Sequence, residues 1–135
     1  MNASFNARAV TAALTTAMIL ATATQALADI KDYKFEVVEK TVKMAPDAVI
    51  TVKLVNTKTG KAVPDAVIFA TRLDMAPDGM QDMATKIAPM PSTEPGLYRF
   101  KAKVSMAGGW RLSLGAKVQG EDGTVDQKLV IKADE

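Results

Sequence analysis

The chain has 135 residues, 48% hydrophobic and 24% charged, a globular composition sized for one domain. It holds no cysteine and no histidine, which excludes disulfides, thiol nucleophiles, Ser-His-Asp triads and the common zinc sites. Lys plus Arg is 17 against 15 Asp plus Glu, a formal charge of +2 with 5% aromatics, so neither the basic field nor the stacking platform of a nucleic-acid binder is present.

Residues 1–28 read as a cleaved secretory signal peptide. Arg8 precedes an apolar run from Ala9 to Ala23, and Ala26-Leu27-Ala28 puts small residues where a signal peptidase reads. The run falls short of the ~20 apolar residues that span a bilayer. The expected mature protein is a single periplasmic domain, residues 29–135, with no membrane insertion.

From there period two dominates, and strands are expected near 31–43, 48–56, 66–75, 85–90, 96–105, 109–119 and 124–132. In the second, Ile50, Val52 and Leu54 alternate with Thr51 and Lys53. Asn56-Thr57-Lys58-Thr59-Gly60 ends it as a turn. The third, more uniformly apolar and β-rich from Ala66 to Leu73, reads as an interior strand. Glu94-Pro95-Gly96 opens the fifth, where Tyr98, Phe100, Ala102 and Val104 alternate with Arg99, Lys101 and Lys103. Ala107-Gly108-Gly109 opens the sixth, with Trp110, Leu112, Leu114, Ala116 and Val118 on its apolar phase. Gly120-Glu121-Asp122-Gly123 is a hairpin turn before the last. The fold class is all-β, an immunoglobulin-like antiparallel β-sandwich of about seven strands. Trp110 is expected in the core by its phase, rather than at the rim stacked on a cation.

Methionine is the unusual residue. Four of the six methionines after residue 28 fall between Met75 and Met90. Ala76-Pro77-Asp78-Gly79 suits a type I turn, which brings Met75 and Met80 toward each other. If Gly79 to Met83 forms one helical turn, Met80 and Met83 share a face. Thioethers are soft neutral donors that select Cu(I) or Ag(I) over Zn(II), Mg(II) and Ca(II). Met75, Met80 and Met83 are therefore the candidate ligands, with Met90 a fourth. Two bland accounts stand beside this one. Methionine fills irregular core gaps, which suits Met44 and Met106 near strand ends. A Met-rich surface also suits a protein partner. Asp74, Asp78 and Asp82 in the same loop lack EF-hand spacing and read as turn-forming, solvated residues rather than hard-cation ligands. With Ser92, Ser105 and Ser113 as the serines after residue 28, no nucleophile–base pair is evident, and the chain is not expected to be an enzyme.

Three stretches carry a family resemblance that spans about Ala48 to Ile131. They are Ala66 to Met75 leading into the methionine loop, Pro95-Gly96-Leu97-Tyr98-Arg99-Phe100, and Met106-Ala107-Gly108-Gly109-Trp110-Arg111-Leu112. Together they resemble the FixH/YtkA-like family of exported immunoglobulin-like domains. The resemblance implies a periplasmic or cell-surface sandwich associated with copper handling, copper supply to cytochrome oxidase, or heavy-metal efflux. Two departures stand out: many members carry histidines near the loop, and FixH proper is membrane-anchored. The expected function is a periplasmic Cu(I) carrier or buffer that passes copper to a partner protein. The alternative is a metal-free interaction module of an exported envelope complex.

Overall fold

The computed structural model describes residues 29–92 and 94–135. The expected signal peptide lies outside the described residues. A short 3-10 turn, Ile30–Asp32, leads into β1 (Tyr33–Val37), β2 (Thr41–Lys43), β3 (Ala45–Asn56) and β4 (Val67–Met75). A second 3-10 turn, Ala76–Asp78, connects β4 to β5 (Met80–Thr85), followed by β6 (Ile87–Met90), β7 (Leu97–Val104), β8 (Gly108–Lys117) and β9 (Val125–Asp134).

The strands form two sheets, in the orders β1-β3-β7-β6 and β2-β9-β8-β4-β5. In immunoglobulin lettering, the first is A-B-E-D and the second extends G-F-C with one further strand at each edge. All pairings are antiparallel except β2 with β9. The expected sandwich is therefore present, with two refinements. The expected first strand is two: β1 pairs with β3 and β2 with β9, so the chain changes sheets between Val37 and Thr41. The expected fourth strand, 85–90, is β6 from Ile87 onward, and β5, which shares only Thr85 with it, is an additional strand in the other sheet.

Alternation places the core. Ile50, Val52, Leu54, Phe100, Ala102, Val104, Trp110, Leu112, Leu114, Ala116 and Val118 are buried, as their phase requires. Tyr98 is half-buried and bridges instead: its hydroxyl donates to the Val63 carbonyl at 2.6 Å and accepts the Ala66 amide at 3.0 Å. Burial pushes its phenol above the ordinary value.

With no cysteine, the sheets are joined by packing and side-chain ties. Gln127 of β9 pairs both ways with the backbone of Phe35 on edge strand β1, accepting its amide at 2.7 Å and donating to its carbonyl at 2.8 Å. That occupies polar groups an edge strand otherwise exposes. Thr85 of β5 donates to the Lys103 carbonyl of β7 at 2.8 Å. Pro89 sits on β6, an edge strand that tolerates its missing donor.

β4 is interior for only part of its length. It pairs with β8 from Val67 to Asp74, but with β5 only from Leu73 to Met75. Among the described residues, the Val67–Arg72 half faces no strand on its β5 side, and Val67 and Phe69 are exposed. Only Leu73, Asp74 and Met75 at its far end are buried.

Candidate functional site

The methionine loop is a hairpin. Ala76-Pro77-Asp78-Gly79 makes the expected tight turn, closed by the Gly79 amide donating to the Ala76 carbonyl at 2.9 Å. Gly79 lies at φ 74°, a left-handed conformation natural to glycine. The turn sets Met75 and Met80 opposite each other as direct cross-strand partners. The expected helical turn from Gly79 to Met83 is replaced by strand β5. The chain had a pairing partner in the end of β4, and pairing satisfies its backbone groups. On a strand, a three-residue separation points side chains to opposite faces. Met80 accordingly packs against the core, whereas Met83 is 42% exposed.

Met75 is fully buried. A Cβ built at Gly108 would stand 3.2 Å from the Met75 methyl and would press on the Asp78 carboxylate. At Gly109 a Cβ would stand 2.7 Å from the Pro77 side chain. The turn thus rests on the two glycines that open β8, and Asp78 fastens it by accepting the Gly109 amide at 3.1 Å. Gly108 also sits at φ 133°, which disfavours any side chain.

Asp74 forms the other anchor. It is buried rather than solvated, correcting the sequence expectation, although it does form the turn. Its Oδ1 accepts the Ala76 amide at 3.0 Å, and its Oδ2 accepts Arg72 Nε at 2.9 Å and Arg111 Nη2 at 3.0 Å. Burial pushes this carboxyl upward, but hydrogen bonds from Arg111, Ala76 and Arg72 outweigh it and hold the group below its ordinary 3.8. Asp78 and Asp82 are exposed, as expected, but only Asp78 belongs to the turn; Asp82 lies on strand β5. Among the described residues, no group of three His, Cys, Asp or Glu side chains is placed to hold a metal ion.

Met90 is not brought to this hairpin. It ends β6 in the opposite sheet, paired with Arg99. It lines a groove of about 790 Å³ shared with Ile68, Phe69, Thr71, Pro89 and Tyr98. Trp110 is buried, and its indole N–H donates to the Met106 carbonyl at 3.1 Å. Met44 and Met106 are not core gap-fillers: they are 37% and 38% exposed. Met44 lies between β2 and β3, and Met106 between β7 and β8, both at places where the chain passes from one sheet to the other. Their positions just outside expected strands were visible in the sequence; the change of sheet was not.

Among the described residues, no helix is long and apolar enough to cross a membrane. The crystal structure of the Lin-41 filamin domain is similar with a TM-score of 0.44 at 18% identity, covering 79% of this chain and 94% of that one. The ZirS C-terminal domain gives a TM-score of 0.47 at 11% identity, covering 100% of this chain and 88% of that one. No curated protein matches the sequence. The YtkA-like family model matches residues 27–115, through the hairpin and the strand it rests on. This chain, two facing sheets with a methionine-flanked turn seated on Gly108 and Gly109, belongs to the YtkA-like family.

Proposed function

We propose that this protein is an exported Cu(I) carrier or buffer, not an enzyme, and that the tip of the β4–β5 hairpin is where the ion is taken up as cargo. The observation that supports this most is the direct pairing of Met75 with Met80. Directly opposed residues have Cβ atoms about 4.5–5.5 Å apart, close enough for two flexible thioethers to share one ion. Such a donor set suits Cu(I) or Ag(I), and the lack of His and Cys leaves little to hold Cu(II) or zinc. Met83 faces away from Met80 on the same strand and stands outside this pair. Met75 is buried beneath the turn, so uptake requires the Ala76–Gly79 turn to lift from its glycine seat. The periplasm is the compartment the leader sequence points to. Delivery to an oxidase or to an efflux system, which the family resemblance implies, belongs to the same proposal.

Anaerobic Cu(I) titration against a competing chelator tests the reading. Tight binding that weakens sharply in Met75→Leu and Met80→Leu supports it, and no binding by the wild type overturns it.

A second reading has its own support. The unpaired half of β4 borders the groove with exposed Phe69, a surface of the kind a metal-free interaction module presents.

A further inference from the structure

The hairpin is not the only place where methionine meets this end of the sandwich. Three links meet there. The first is the β4–β5 turn, flanked by Met75 and Met80. The second is the crossing from β2 to β3, made by Met44 alone. The third is the crossing from β7 to β8, residues 105–107, with Met106 at its centre.

Backbone contacts tie the three together. The Met44 amide donates to the Asp134 carbonyl at 2.8 Å, while the neighbouring Ala133 pairs with Gly108. Ala45, next after Met44, is the strand partner of Val104, two residues before Met106. Gly108, two residues after Met106, is the glycine against which the Met75 methyl lies. The links of the opposite end, residues 57–66, 91–96 and 118–124, contain no methionine. Gap-filling does not explain this one-sidedness, because Met44 and Met106 are exposed. Leaving oxidation-prone thioethers in solvent is also a cost without a use for the sulfur.

Resting on the Cu(I) reading above, we infer that Met44 and Met106 belong to the soft-metal site. They extend it from the hairpin across the whole methionine end of the sandwich, and Met90 stands outside it. Met44 and Met106 present thioethers at the surface, where an incoming ion meets them first. Met75 and Met80 lie deeper, behind the turn. The arrangement provides an outer and an inner set of neutral donors along one path. Trp110 reports on the outer set, because its indole N–H is bonded to the Met106 backbone.

The test is Ag(I) and anaerobic Cu(I) titration of the purified protein and its Met44→Leu, Met106→Leu and Met90→Leu variants, followed by chelator competition and by emission of the single tryptophan. Far-UV circular dichroism checks that each variant is folded. Leu for an exposed Met conserves volume and apolarity. Met44→Leu and Met106→Leu should each lower affinity by at least the ~10-fold that even an outer-shell partner is worth. Met90→Leu should leave affinity unchanged. Ag(I) should shift the emission of the wild type, and Met106→Leu should reduce that shift. If both outer variants bind like the wild type while Met75→Leu or Met80→Leu loses affinity, the inference is overturned and the hairpin reading survives. If the wild type binds neither ion, both fall together.

Discussion

Arg111 of β8 donates to the Asp74 carboxylate of β4 at 3.0 Å, and that carboxylate in turn holds the Ala76 amide at the start of the methionine turn. One buried charge therefore connects the strand beneath the site to the turn above it. A two-sided anchor of this kind sets the geometry of Met75, the residue between Asp74 and Ala76, without touching its sulfur.

Asp74→Asn removes the charge but keeps the shape. Two guanidinium groups then lose their counter-ion. Breaking a buried pair costs about 3–5 kcal/mol, and the half-exposed Arg72 recovers water, so about 2–3 kcal/mol is expected here in urea unfolding.

The same carboxylate sets an acid limit. Its pKa in the folded state lies below the ordinary 3.8, so its contribution is fully present above that value and is lost as pH falls through the folded pKa. The stability gap between wild type and Asp74→Asn should therefore stay constant from neutral pH to about 5 and close below about 4, near the unperturbed Asp pKa of about 3.9. Urea titrations at a series of pH values measure it; a gap closing near pH 6 would assign the dependence to another group.

Gly108→Ala places a methyl group against the Asp78 carboxylate and the Met75 methyl, at a backbone conformation unfavourable to any side chain. A loss above the ~1 kcal/mol typical of compatible glycine substitutions is expected, together with faster hydrogen exchange at the Gly79 and Gly109 amides. Unchanged protection at both amides would show that the turn does not depend on its seat.

Trp110→Ala should cost about 3–5 kcal/mol, because the ring is buried and its cavity has nothing to fill it. Thermal unfolding followed by circular dichroism gives the figure. A loss under ~1 kcal/mol is what an exposed ring would give.

Cu(I) affinity should be nearly flat from pH 7 to about 5, because thioethers do not exchange protons where His or Cys ligands would. Competition with a chelator of known pH dependence measures this. A steep fall over that range would mean that thioethers are not the only donors.

Much of this protein is legible in its residue order. Period-two alternation requires sheets with one buried face, so the core phases of β3, β7 and β8 and the burial of Trp110 followed from residue order alone. The Ala76–Gly79 turn followed from the intrinsic preferences of Pro and Gly, and with it the approach of Met75 to Met80. Other features depend on contacts between residues far apart in the chain. Strand β5 replaced a helical turn because the end of β4 offered a pairing edge, and this separated Met83 from the face of Met80. Asp74 could be buried only because Arg111, 37 residues away, came to neutralise it. Met90 parted from the hairpin when β6 joined the other sheet. Met44 and Met106 came to one end of the sandwich because the chain changes sheets at both places. Local preference sets period and turn; which residues share an end of the fold is decided by the path of the chain between sheets, and no local pattern encodes that path.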